Sequence, residues 1–148
     1  MNTAAVESPT WARIGKSTVF DLVLNAKTET NDFIEDEMTT EEVMSYAPEL
    51  AQELQCNKGD SAFDYVYGMF YNLPTGEAVK KNVLIVFAGN QGTEDAPKFN
   101  AWNTTATLIL DHFDTVAEKI YFSLKINSIE RGTVTISEKV PTFAKATA

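Results

Sequence analysis

Apolar and polar residues alternate along most of this chain, and the alternation predicts strands. Residues 17–27 set Phe20, Leu22, Leu24 and Ala26 on one face against Asp21, Asn25 and Lys27 on the other, a half-buried strand. Residues 99–113 set Trp102, Thr104, Ala106, Leu108 and Leu110 against Asn103, Thr105, Thr107 and Ile109. Residues 120–127 set Ile120, Phe122, Leu124 and Ile126 against Tyr121, Ser123, Lys125 and Asn127, and Glu130-Arg131-Gly132 reads as a hairpin turn into Thr133–Ile136. The unbroken run Val83–Phe87 within 80–88 predicts a strand buried on both faces. Glu49–Cys56 fits a strand or a helix; its short length after Pro48 favours a strand.

One segment has helical spacing. Phe63, Val66, Tyr67 and Phe70 follow i, i+3, i+4, i+7 and predict the core-facing stripe of a helix. Asp60 or Ser61 caps its start, and Pro74 stops it at Leu73. An aromatic stripe at this spacing reads as core rather than as a ligand site.

The pattern fades in three places. Residues 1–12 read as a loose N-terminal arm whose Trp11 docks on the chain's own core or on a neighbour. Residues 141–148 read as a mobile tail. Residues 28–48 form a long acidic connection, and nine of the 21 carboxylates fall between 29 and 53. Phe33, Ile34, Met38, Val43, Met44 and Tyr46 are set into it. Solvated linkers rarely carry so many large apolar residues, so the segment is read as an extended arm that buries them against a partner. Thr39 and Glu42 also match a capping box for a short helical turn. No repeat or domain boundary is visible, so residues 1–148 are expected to be one domain. The fold class expected is mainly β (α+β): an antiparallel β-sandwich or barrel with one flanking α-helix and a long acidic arm.

Charge narrows the functions. Twelve basic against 21 acidic residues leave a net charge of −9 over 148 residues, against a nucleic-acid reader or an anionic-lipid binder. Cys56 is the sole cysteine, so no intrachain disulfide forms. His112 is the sole histidine and sits in the alternating run at 108–113, where it reads as a strand-end residue rather than a catalytic base. Gly89-Asn90-Gln91-Gly92 lacks the Lys-Ser/Thr of a phosphate loop and reads as a turn. The acidic stretch 32–42 lacks the Asp-x-Asp-x-Asp-Gly order of a calcium loop. Asn103-Thr104-Thr105 spells a glycosylation acceptor, and the first ten residues show no secretory leader. No enzyme activity, cofactor or metal is expected. The segment 99–110 carries no charge and no proline, so it is either a central strand or an edge used for self-assembly.

Several soft motifs share an order with a known family. Trp11-Ala-Arg-Ile-Gly15-Lys16, Asn25 through Glu37, Tyr46-Ala-Pro48, Lys58-Gly-Asp60-Ser-Ala-Phe-Asp64-Tyr-Val66 and Leu73-Pro-Thr-Gly76 resemble the features of major tail tube proteins of long-tailed, siphovirus-like phages of Gram-positive hosts. The resemblance spans about residues 11–137. It implies a β-sandwich subunit that closes into homo-hexameric rings, which stack into a virion tail tube. It also implies tape-measure and tail terminator or tip proteins as partners, assembly in the host cytoplasm, and genomic DNA passing through an acidic lumen without specific binding. The arm at 28–48 then bridges neighbours, with Trp11, Phe33, Ile34, Glu35, Asp36, Met38, Met44 and Tyr46 at the assembly interface. Arg13, Lys16, Lys80 and Lys81 are candidate cations for its carboxylates. Two alternatives stand beside this, with a small hydrolase using carboxylates and His112 as a third. One is the inner tube of a contractile tail-like particle. The other is a monomeric β-sandwich binding module for carbohydrate or a host surface, using Trp102, Tyr65 or Tyr71.

Overall fold

The spine of the molecule is one long hairpin. Strands β6 (Lys98–Asp114) and β7 (Lys119–Ser137) pair antiparallel from Asp114↔Lys119 to Lys98↔Thr135. The turn is fixed locally: the Asp114 carboxylate accepts the Val116 and Ala117 amides, both at 2.9 Å. Those two amides hold its carboxyl below the ordinary carboxylate range. The computed structural model describes residues 1–3, 9–15, 17–35 and 37–147, without the side chains of Thr18, Val19 and Phe20. Lys16, Asp36 and the Phe20 side chain, all used in the sequence reading, thus lie outside the described set.

The spine changes partners along its length. Near its turn, β7 pairs with β4 (Glu49–Gln55), which pairs with β1 (Ser17–Val23). Away from it, β6 pairs with β5 (Lys80–Asn90) and β7 with β8 (Val140–Lys145). Register shifts at Thr105/Ala106 and Leu110/His112 insert bulges, which bend a strand and increase its twist. The result is a mainly antiparallel β fold with one α-helix, consistent with a β-sandwich and its flanking helix. One core gathers Leu50 and Leu54 from β4, Val83 and Ile85 from β5, Ala106 and Leu108 from β6, and Ile120, Phe122 and Leu124 from β7. The uncharged segment 99–110 is therefore a central strand, flanked by β5 and β7.

Helix α1 (Ser61–Asn72) closes this core. Asp60 caps it by accepting the amides of Ala62 (3.0 Å) and Phe63 (3.2 Å). Leu73, with φ +48, ends it before Pro74. The buried stripe is Ala62, Phe63, Val66 and Met69. Of the expected core residues, Phe63 and Val66 are buried, Phe70 is half-buried and Tyr67 is exposed. The reason is phase: Met69 takes the fourth core position, which turns Tyr67 toward the helix edge, where it meets Phe113 at 6.5 Å.

Five other expectations are corrected. First, β7 runs through 130–132 without turning. Gly132 is needed there because a Cβ would lie 2.2 Å from the Ala144 carbonyl oxygen and 2.5 Å from the Phe143 ring. Second, residues 141–145 are not a mobile tail but most of β8, entered by a turn with positive φ at Glu138 (+49) and Lys139 (+67). Such a turn matches the twist of the flanking strands. Third, β5 buries one face only: Val83 and Ile85 point in, while Val86 is exposed, because this edge strand has the core on a single side. Fourth, the described part of the N-terminal arm, residues 1–3 and 9–12, is docked rather than loose, and residues 4–8 lie outside the described residues. Met1 and Asn2 are buried, Asn2 bridges Trp11, and the Asn2 amide donates to Asn82 O at 2.8 Å. Fifth, β1 stops at Val23, so Leu24 and Ala26 do not continue its inner face; Asn25, at φ +46, turns the chain away.

Candidate assembly interface

Strands β1 and β4 form the base of a longer ribbon. Their last pair is Val23↔Glu49. Beyond it, the Ala47 amide donates to Leu24 O at 3.0 Å and Asn25 Nδ2 to Ala47 O at 3.1 Å. The chain then re-pairs as β2 (Lys27–Asn31) and β3 (Thr40–Ser45), from Lys27↔Ser45 to Asn31↔Thr40. The base is anchored: Pro48 is buried, and its carbonyl accepts the Ile126 amide from β7 at 3.0 Å. The distal half is a separate two-stranded sheet whose packing is essentially mutual. The helical turn expected from Thr39 and Glu42 does not form, because β-branched Thr40 and Val43 take strand positions opposite β2.

The hairpin exposes what a soluble surface usually hides. Every described residue from Val23 to Ala47 is exposed apart from half-buried Asn31. Ile34 is fully exposed, Met38 is 80% exposed and Phe33 57%. Val43, Met44 and Tyr46 are each more than half exposed. Single exposed apolar residues are ordinary, but six on one twenty-residue hairpin point to an interaction surface. The backbone points the same way, since a lone two-stranded hairpin is marginal in water.

Its charge is equally uneven. Residues 27–46 carry seven carboxylates against Lys27, which leaves six of the chain's nine net negative charges in this one element. Glu29 stands directly opposite Glu42. Like charges at paired positions weaken a hairpin. The element is therefore both greasy and self-repelling, and it gains most from a partner that covers the apolar side chains and screens the acids.

The predicted interface residues do not all meet. Phe33, Ile34, Glu35, Met38, Met44 and Tyr46 share the hairpin, and Asp36 lies outside the described residues. Trp11 is elsewhere: it lines a cleft with Pro9, Asn82, Asn103, Thr142 and Phe143, docked on its own chain. Of the candidate cations, Lys80 pairs with Glu77 at 2.5 Å, Lys81 sits 5.4 Å over the Tyr65 ring, and Arg13 is exposed.

The rival sites are also placed. Trp102 packs edge-on against Phe87 at 5.0 Å beside the core, and Tyr65 is half-buried beneath Lys81. Of the three aromatics suggested for ligand stacking, Tyr71 alone is open, at 78%. His112 stacks on Tyr121 at 4.1 Å and lies 3.1 Å from Asp111, on an exposed stretch of β6. Tyr121 donates to Glu53, which also pairs with Lys119; that bond raises the lysine's pKa. Among the described residues, no three of His, Cys, Asp and Glu gather as a metal site. Among the described residues, no helix is long and apolar enough to cross a membrane.

A feature that sequence reasoning missed lies between α1 and β6. Tyr67, Phe70, Tyr71 and Phe113 line an open groove of about 390 Å³. Phe70 and Phe113 meet at 6.0 Å. Phe113 is more than 40 residues from the helix, so no local period announces the groove. Compared with known proteins, the chain matches no family model and no curated sequence.

Proposed function

We propose that this chain is a structural self-assembly protein: a subunit of stacked hexameric rings that form a phage-type tail tube, without catalytic activity. The observation that carries the reading is the β2–β3 hairpin, an ordered element that leaves Phe33, Ile34, Met38, Val43, Met44 and Tyr46 in solvent. A surface of that kind is completed by another molecule. The order of motifs across residues 11–137 supplies the tail tube as the assembly. A net charge of −9 suits a conduit that must let DNA slide without holding it. The identity of the other tail proteins rests on the same resemblance.

The test is negative-stain electron microscopy of concentrated protein beside its mass by light scattering. Rings or hollow tubes are expected. A chain that remains monomeric at every concentration refutes the reading. It would favour the binding module, for which open Tyr71 is the one structural point and ligand-dependent stabilisation the signature.

A further inference from the structure

We infer that the aromatic groove between α1 and β6 binds a quaternary ammonium group carried on a small molecule such as choline. The inference goes beyond self-assembly and stands whether or not the chain assembles. Four rings make the walls: Tyr67, Phe70 and Tyr71 from the helix and Phe113 from the strand. Relative to Phe113, Phe70 is tilted by 46° at 6.0 Å and Tyr67 by 64° at 6.5 Å. Rings set at these angles border a concavity instead of stacking it shut, and about 390 Å³ stays open between them. Tyr67 and Tyr71 are both exposed, so an incoming group meets ring surface directly.

Each aromatic face carries the negative lobe of a quadrupole, which attracts a cation held within ~6 Å of the ring centre. A quaternary ammonium suits several rings at once. Its charge is spread over methyl groups that need no hydrogen bonds. A lysine-type ammonium would give up strong hydration for walls whose side chains offer only two tyrosine hydroxyls. Charge favours the same occupant. Asp64 lies three and seven residues before Tyr67 and Tyr71, on the same side of the helix, and Asp111 and Asp114 flank Phe113 in β6. The two elements that build the groove carry no arginine, and their one lysine is Lys98, at the far end of β6. Lys119, the next along the chain, is paired with Glu53. An acidic surround of this kind concentrates a cation and repels an anion, so free choline is favoured over phosphocholine.

Proton NMR of choline titrated with the wild-type protein tests this, because ring currents move the trimethyl resonance upfield on binding. Saturable binding is expected, weakening as salt rises. The neutral tert-butyl isostere, with carbon in place of the nitrogen, should bind ~10-fold more weakly. Tyr67→Leu and Tyr71→Leu keep apolar bulk and remove one ring each; each should weaken choline ~2- to 5-fold at an unchanged melting temperature. Asp64→Asn retains the oxygen type that accepts the Gly59 amide, and should weaken choline while leaving the isostere unchanged. If choline shows no saturable shift, if the isostere or phosphocholine binds as tightly, or if both leucine variants bind choline like wild type, the groove is not an ammonium site. The assembly reading is untouched by any of these results.

Discussion

Gln52 stands between Leu50 and Leu54 on the core face of β4 and is only 2% exposed. Its Nε2 donates to the Ala51 carbonyl at 2.9 Å, while its Oε1 accepts no hydrogen bond among the described residues. A buried carbonyl oxygen without a donor costs about 1–3 kcal/mol in lost hydration. Methionine has nearly the same length and no polar group to strand. Gln52→Met removes that cost and forfeits one amide hydrogen bond worth about 0.5–1.5 kcal/mol. The difference is a net gain of about 1 kcal/mol, or about 3 °C in melting temperature for a chain of this size. Urea and thermal unfolding should show a raised midpoint with an unchanged m-value. Gln52→Glu is the opposing control: a buried carboxylate should destabilise the fold near neutral pH and do so less as acid neutralises it. A midpoint lowered by 1 kcal/mol or more in Gln52→Met would refute the reasoning and mean that the oxygen is satisfied internally.

Three further outcomes follow from particular contacts. Gly132→Ala forces a methyl into the Ala144 carbonyl and the Phe143 ring; it should cost about 1–3 kcal/mol and raise amide exchange in Val140–Lys145 before the rest of the sheet. The Met1 amine, buried against Ala12 O, has its pKa lowered to about 6 by desolvation. The unfolded amine, near 8, holds its proton more tightly, so stability is fully present above pH 8 and falls by up to roughly 3 kcal/mol as pH drops from 8 to 6; an acetylated N-terminus should flatten that slope in pH-dependent unfolding. Assembly should strengthen between 50 and 500 mM salt by sedimentation, because six of nine net charges sit on one hairpin; dissolution by salt would instead mean that ion pairs hold the copies together.

The strands and the helix were legible because their signals are local. Alternation at 120–127 foretold the buried Ile120, Phe122 and Leu124, and Asp60 foretold its own cap. What stayed hidden depends on distant partners. Glu130-Arg131-Gly132 has the composition of a turn, yet the glycine serves a strand that arrives only at residue 140. Periodicity could not separate Met69 from Tyr67 as a core position, because the phase of α1 is set by the sheet beneath it. The hairpin was half legible. Its apolar residues stood out against the acids, but its pairing depends on register between segments nine or more residues apart. The groove was illegible for the same reason, since three walls come from the helix and the fourth from β6.

The ribbon from Ser17 to Gln55 also has a mechanical meaning. Its two legs lead, across residues 24–26 and 46–48, into β1 and β4, so tension applied at the tip runs along the strands instead of peeling them apart. That load reaches the spine across seven paired residues, Glu49↔Lys125 to Gln55↔Lys119, where it acts as shear on all the ladder hydrogen bonds at once. Bonds loaded in parallel must fail together, whereas bonds peeled from one end fail in turn. A subunit gripped by its hairpin therefore carries axial force into its spine through the β4–β7 seam, and the turn at Asn25, between the two paired stretches, is where the ribbon changes direction.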